Sequence, residues 1–376
     1  MRFADLVTTS AEVAGVSGRL DKIDRLAALL TRLEGDEVET AVAFLSGTAR
    51  QGRIGIGHAA IAAASDTPPA DAPTLDVRDV DEAFATLSRV SGKGSAGERA
   101  RVLRAVFARA TEAEHDFLRR LLYGELRQGA LEGVLLEAVA RAAKVAAPRL
   151  RRAAMMAGDL GPVARAALSG GEAALDAIAM QVMRPIQPML AESEASVEDA
   201  LERLDDATLE YKLDGARVQV HKAEDVVRVF SRSLRDVTDA VPEIVTLVRT
   251  LPARELILDG EVIALRPDGR PEPFQITMRR FGRKLEVEKT RSELPLTPFF
   301  FDCLYADGTV LLDEPQERRI QVLHDAAGAA GVPRIIRPTR EQAGTFAREA
   351  LEAGHEGVMA KALSAPYAVA AAARRG

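Results

Sequence analysis

The chain has 376 residues, 47% hydrophobic and 28% charged, which predicts two globular domains, each able to bury a core. A net charge of -6 and a pI near 5.6 exclude a uniformly basic surface, so any nucleic-acid contact has to come from local clusters. A single cysteine, Cys303, excludes an internal disulfide framework; with no apolar leader after Met1-Arg2-Phe3-Ala4-Asp5 and no run of about 18 apolar residues, we expect a cytoplasmic protein without a membrane partner.

From the N-terminus to about residue 175 the pattern is helix after helix. Leu20, Ile23, Leu26, Leu29, Leu30 and Leu33 recur at three- and four-residue steps, as do Val102, Leu103, Val106 and Phe107, then Phe117, Leu118, Leu121 and Leu122. Loops are predicted at Ser65-Asp66-Thr67-Pro68-Pro69, at Ser91-Gly92-Lys93-Gly94-Ser95 and at Gly170-Gly171. Gly92-x-Gly94-x-x-Gly97 has the spacing of a dinucleotide fingerprint, but a helix from Asp79 to Val90 is predicted where that motif needs a strand. Two readings stay open for this loop: free N-H groups at the start of the next helix, near Glu98, that hold a phosphate, or an ordinary interhelical connection. A second candidate, Gly124-Glu125-Leu126-Arg127-Gln128-Gly129-Ala130, lies between two amphipathic helices. Arg141, Lys144, Arg149, Arg151 and Arg152 follow with no acid among them, as either a solvated face or a patch that tracks a phosphate backbone.

Near residue 180 the texture changes. Arg184-Pro185-Ile186-Gln187-Pro188-Met189-Leu190-Ala191 is proline-punctuated and extended, and strands dominate beyond it. The boundary therefore divides residues 1–178 from residues 179–376. In Glu210-Tyr211-Lys212-Leu213-Asp214-Gly215-Ala216-Arg217 an alternating apolar run meets a tight turn and resumes at Val218 and Val220, which reads as strand, turn, strand, with Lys212 facing away from Tyr211 and Leu213. Only 8 of the 50 basic residues are lysine, so a retained lysine points to a task closed to arginine, and nucleophilic attack is one.

Further strands are predicted over Val226 to Arg232 and over Glu255 to Ala264, the second broken by Asp259-Gly260. It carries Glu261 among Val and Ile, where a carboxylate needs a cation, a metal or a donor unless it simply ends the strand at a turn. Phe299, Phe300 and Phe301 stand in a row in a chain that is 4% aromatic, so at least one face of that strand can offer a ring for stacking, with core packing expected for the other two. Glu356-Gly357-Val358-Met359-Ala360-Lys361 places an acid and another scarce lysine at the ends of a short apolar strand, before an Ala-rich stretch and Arg374-Arg375-Gly376.

Taken together and in this order, Lys-x-Asp-Gly-x-Arg, Ser-Arg, Asp-Gly-Glu, the Phe299 to Gly308 run and Glu-Gly-x-x-x-Lys resemble the nucleotidyltransferase core of the ATP-dependent DNA ligases. The helical first half, with its Ser-Gly-x-Gly-Ser loop and Gly-Glu-Leu-Arg-Gln-Gly-Ala segment, is similar to the DNA-binding domain that precedes that core in archaeal, eukaryotic and some bacterial members, so the resemblance spans the chain. It implies an all-α DNA-binding domain followed by an α+β adenylation domain with antiparallel sheets.

The resemblance further implies that Lys212 attacks the α-phosphate of ATP to give lysyl-AMP, that AMP passes to the 5′-phosphate of a nick, and that the 3′-hydroxyl displaces it. It assigns Glu210 and the face of Phe301 to adenine. Arg217 and Arg232 go to ribose, phosphate or the nick phosphate, Glu261 and Glu356 to ribose or Mg²⁺, Lys361 to the α-phosphate and Arg375 to ATP, while Asp214 belongs to the turn. Nicked double-stranded DNA would be the partner of a monomer working on the nucleoid in repair, replication, recombination and cell division. The family continues with a Trp-x-Lys-x-Lys strand and an OB-fold domain that this sequence lacks, so the chain as given is expected to fold and bind but to adenylylate slowly and seal nicks poorly or not at all. A capping enzyme or RNA ligase shares the Lys-x-Asp-Gly core without this helical half, and a non-catalytic nick-binding module is the reading from another class.

Overall fold

A computed structural model of the protein describes residues 1–52, 54–126, 132–204, 206–282 and 287–368, with nothing said of the side chains of 287–289. The described chain forms two compact units that divide between Ala179 and Met180.

The first unit is helical. Its core gathers one face of each helix around Phe3, Phe44, Phe84 and Phe117, whose rings meet edge to face at centroid distances of 5.5 to 6.2 Å. Local chemistry sets the helix starts. Asp76 and Asp79 close a capping box on the helix Val77–Arg89, and Thr111 and Glu114 close another on Glu112–Tyr123. The predicted break at Gly170-Gly171 is a kink, not a loop: Leu160–Asp176 runs through it with Gly171 at φ 59°, a left-handed conformation that glycine tolerates. Gly92 and Gly94 both take φ 86° before the helix Ser95–Phe107, and a helix precedes them, as expected of an interhelical loop and not of a dinucleotide fold. Of the basic run, Arg141 is paired with Asp24 and Arg149 with Glu172 and Asp176, the latter two at 3.1 Å, while Lys144 is exposed. Residues 127–131 of the Gly124 to Ala130 segment lie outside the described residues.

The second unit carries two antiparallel sheets. The strands are β1 (Ala207–Lys212), β2 (Ala216–Ala223), β3 (Val226–Ser231), β4 (Glu255–Ala264), β5 (Leu296–Ala306), β6 (Thr309–Val310), β7 (Arg334–Ile336) and β8 (Gly357–Ala362). They form a three-stranded sheet in the order β7-β1-β8 and a five-stranded sheet in the order β3-β2-β4-β5-β6. The expected strand, turn and strand are present, but β1 and β2 belong to different sheets and do not pair as a hairpin. The chain crosses from one sheet to the other at Asp214-Gly215, where a Cβ on Gly215 would overlap the Ile263 methyl and the Val262 carbonyl. Nor does Asp259-Gly260 break β4; it is continuous, with register shifts against β5 at that point, and a Cβ on Gly260 would come within 2.8 Å of the Phe299 carbonyl.

The proline-punctuated segment before β1 lies against β2 through three alternate side chains of that strand. Met183 donates its N-H to His221 Nδ1 at 3.0 Å, and burial pushes that imidazole down to about 3, so the ring is neutral. Ile186 donates to Gln219 Oε1 at 2.8 Å and accepts from its Nε2 at 3.2 Å, while Arg217 Nη1 donates to the Met189 carbonyl at 2.6 Å. No helix among the described residues is long and apolar enough to cross a membrane.

Among the described residues the deepest ion pair joins Arg319 to Asp302 on β5. Arg319 Nε reaches Oδ1 at 2.8 Å, and the guanidinium also donates to the carbonyls of Glu314 and Ala365; both side chains are essentially inaccessible. Removing one partner leaves an uncompensated buried charge. Arg319→Leu is accordingly expected to cost about 3–5 kcal/mol, to be read as the loss in chemical-denaturation midpoint of the transition belonging to the second unit.

Candidate active site

The second unit encloses a cavity of about 770 Å³, within the roughly 300–1,000 Å³ usual for small-molecule sites. Lys212, Glu210, Arg217, Glu261, Phe301, Glu356 and Lys361 all line it, although they come from five strands and one loop.

Strand alternation places Glu210 and Lys212 on the same face of β1. Lys212 ends the strand, and its position is fixed through the backbone, because the Glu356 N-H donates to its carbonyl at 3.0 Å. Its side chain is 42% exposed and its Nζ is ion-paired with the Glu356 carboxylate, so the amine opens on the cavity with a counter-charge beside it. Tyr211, on the opposite face, packs against Phe346 and His355 at 4.8 and 5.2 Å.

Glu210 is 2% exposed. Lys361 Nζ stands 2.6 Å from its Oε2 and Arg334 Nη2 3.2 Å from its Oε1, but neither contact is aligned as a hydrogen bond, and Oε1 has no hydrogen-bond partner. Glu210 lines the cavity, and a buried carboxylate oxygen without a partner is a group that a ligand donor would satisfy. Phe301 stands beside it on β5 with its ring turned to the cavity, Lys361 Nζ 4.7 Å and Arg217 Cζ 5.4 Å from the ring centroid. Of the three consecutive phenylalanines only Phe300 is fully buried, so one ring, and not two, belongs to the core.

Arg217 forks onto the buried Asp259, Nε to Oδ1 at 3.1 Å and Nη2 to Oδ2 at 2.7 Å. Tyr367 donates its hydroxyl to the same Oδ2 at 2.8 Å and accepts the Met189 N-H at 3.0 Å, closing a ring of hydrogen bonds with Arg217 and Met189. Three of the five guanidinium N-H groups of Arg217 are thereby engaged, so any phosphate contact falls to the remaining two. Glu261 is pushed up to about 8 from an ordinary 4.5. Burial is the largest cause and the neighbouring Asp259 and Asp214 add to it, against the Arg217 guanidinium and the Gly215 N-H.

Two expected residues are not in this group. Arg232 is exposed just past the end of β3, an edge strand of the five-stranded sheet, and does not line the cavity. Arg375 lies outside the described residues. The α-phosphate role expected of Lys361 also meets a different placement: its ammonium sits on Glu210 and over Phe301, at the end of the cavity expected to take the base. Asp259, Tyr367 and Arg334 were not singled out from sequence. The argument applied to Glu261, that a carboxylate among apolar strand residues needs a cation, finds Asp259 two positions earlier, but no local signal marks the other two.

No cluster of three or more His, Cys, Asp or Glu residues poised for a metal occurs among the described residues. The donor set still suits Mg²⁺, which keeps most of its waters and takes one or two carboxylates together with substrate phosphates; Glu261 and Glu356 are among the carboxylates that line the cavity.

A cavity between two antiparallel sheets, lined by a half-exposed lysine, an aromatic ring and a buried carboxylate with an unpartnered oxygen, has the layout of a nucleotidyltransferase adenylation domain. Comparison with known proteins agrees. Residues 188–375 match the family described as ATP dependent DNA ligase domain, and residues 56–140 match DNA ligase N terminus. A probable DNA ligase of Anaeromyxobacter sp. (strain Fw109-5) is 54% identical over 378 residues, which cover 100% of this chain and 72% of that protein. One of Sorangium cellulosum (strain So ce56) is 52% identical over 98% of this chain and 69% of its own length. The solved structure Pmar-Lig_PreS3 shares the fold, with a TM-score of 0.62 at 17% identity over 97% of this chain and 76% of its own. The chain belongs to the ATP-dependent DNA ligase family.

The raised Glu261 pKa gives a signed prediction. The folded state holds a proton that the unfolded chain releases near 4.5, so the contribution of this group is complete below 4.5 and is lost as the pH rises toward 8. Glu261→Gln, which cannot titrate, should therefore gain stability relative to the parent between pH 5 and 9, on the order of 1–4 kcal/mol, as read from parallel thermal or urea unfolding across that range.

Proposed function

We propose that Lys212 is the nucleophile of this ligase. The reading is carried by one observation: its Nζ opens on the same cavity as the unpartnered Oε1 of Glu210 and the ring of Phe301. An adenine amine donating to Glu210, with the base against Phe301, would leave the triphosphate to run toward Lys212. The neutral amine attacks the α-phosphorus, the P-O bond to pyrophosphate breaks, and a phosphoramidate to AMP forms. Before that attack the amine must leave its pair with Glu356 and shed a proton. The 5′-phosphate of a nick then takes the AMP, and the 3′-hydroxyl displaces it to form the phosphodiester.

Glu261 and Glu356 would hold Mg²⁺ together with the phosphates, and the bound ion would offset charge on the transferring group. Glu261 would have to release its proton to do so. Lys361 is better assigned to Glu210 than to the α-phosphate. Arg217 keeps a ribose or phosphate role through its two remaining N-H groups, while Arg232, outside the cavity, fits contact with the nick phosphate better than contact with ATP, and Arg375 is retained as an ATP contact from the family pattern.

We assign residues 1–178 as an all-α DNA-binding domain, in which the loop Ser91 to Gly94 and the exposed Lys144 meet phosphates, and residues 179–376 as the adenylation domain. On this reading the protein acts as a monomer on the nucleoid, in the cytoplasm, sealing nicks left by repair, replication and recombination and before cell division.

Mass spectrometry after mixing with ATP and Mg²⁺ tests the chemistry. The expected result is a gain of one AMP, lost in Lys212→Ala and equally in Lys212→Arg, since the guanidinium keeps the charge but cannot serve as the nucleophile. No adduct on the parent, or one that survives Lys212→Ala, overturns the assignment. Salt-dependent nick binding without any adduct would favour a non-catalytic nick-binding module, and preference for RNA ends over a nicked DNA duplex would favour the RNA-ligase or capping type.

A further inference from the structure

We propose that Arg334 is a positioning residue that sets the purine selectivity of the cavity by holding Glu210 as an acceptor for an exocyclic amine; the proposal rests on the adenylation reading above. Arg334 lies on β7 directly opposite Glu210 of β1, and its side chain is 14% exposed. It does not line the cavity but stands behind the two residues that would hold the base. One nitrogen, Nη2, is 3.2 Å from Glu210 Oε1 and donates to the Phe301 carbonyl at 3.3 Å. A single guanidinium thus ties the polar and the stacking parts of the base site together.

The alignment of this contact matters. Lys361 covers Oε2 at 2.6 Å, whereas Arg334 approaches Oε1 without forming a hydrogen bond, so it supplies counter-charge while the oxygen keeps its lone pairs for a ligand. An ionised carboxylate only accepts. It meets the 6-amino group of adenine as a donor and repels a 6-oxo group. Glu210 stands between two cations on neighbouring strands, Lys361 of β8 and Arg334 of β7, which flank it from either side.

Inosine triphosphate is the discriminating probe, because it carries a 6-oxo group where ATP has the amine. Dissociation constants for ATP and inosine triphosphate are measured in EDTA on the full chain, on Arg334→Met and on Arg334→Lys. The parent should prefer ATP. Arg334→Met should weaken ATP roughly ten- to a hundredfold, the range of one charge-assisted hydrogen bond, with inosine triphosphate little changed. Arg334→Lys should recover part of the preference, and on a Glu210→Gln background Arg334→Met should change it no further.

A preference that Arg334→Met leaves intact, or an equal loss for both nucleotides, overturns the proposal and leaves Arg334 as packing. If Arg334→Met does not fold, Arg334→Lys decides: an intermediate preference supports the proposal and the parental value overturns it. A parent that binds neither nucleotide overturns the adenylation reading itself, a result distinct from ATP binding that is indifferent to Arg334.

Discussion

Three carboxylates lie almost wholly buried in or beneath the cavity wall, and each requires a cation. Asp259, Asp302 and Glu210 are 1%, 1% and 2% exposed, and Asp259 and Asp302 are paired residues of adjacent strands, an arrangement that repels unless each is neutralised. Arg217 answers Asp259, Arg319 answers Asp302, and Lys361 with Arg334 answers Glu210. Tyr367 joins the first two pairs, with its hydroxyl on Asp259 and its ring 5.9 Å from the Arg319 guanidinium. Such pairs add little net stability compared with an apolar core, but they admit few alternative arrangements, which is what a site needs if it is to hold one nitrogen in line with one phosphorus.

That framework explains the division of labour around the cavity. The cations bound to buried acids are in large part structural, whereas Lys212, whose partner Glu356 is itself half-exposed, has room to move. Glu261 occupies a middle position: it faces Arg217 across β2 and β4, yet Arg217 is already committed to Asp259, and the carboxyl is left to retain its proton. A ligand that brings positive charge to that wall would change its state, so binding and proton release are coupled there.

Much of this could be read in the chain. Apolar alternation at Leu209, Tyr211 and Leu213 located β1, short runs of consecutive apolar residues located β3, β4, β5 and β8, and the scarcity of lysine drew attention to Lys212. Scarcity alone misleads, however. Lys222 is equally rare, and its Nζ is buried where it donates to the carbonyls of Arg249 and Leu251 at the end of the helix Pro242–Arg249, a structural cap with no chemistry. What could not be read were pairings that depend on distance through space: Tyr367 reaches Asp259 across 108 positions, and Arg334 reaches Glu210 from a three-residue strand with no pattern of its own. The assignment of β1 and β2 to different sheets is likewise illegible, since Asp-Gly fixes a turn but not whether its flanking strands share a sheet.

The fastening of residues 183–189 along β2 bears on where the second unit begins as a physical object. The family match starts at residue 188, inside that stretch, whereas the first backbone group held by β2 belongs to Met183. A fragment cut at the match boundary would uncover His221 and Gln219, leaving a buried polar strip wet and unpaired; one starting at Ala191 would also take the carbonyl from Arg217. The smallest piece that keeps these polar groups of β2 paired therefore includes a stretch that, judged by its prolines alone, would be discarded as linker.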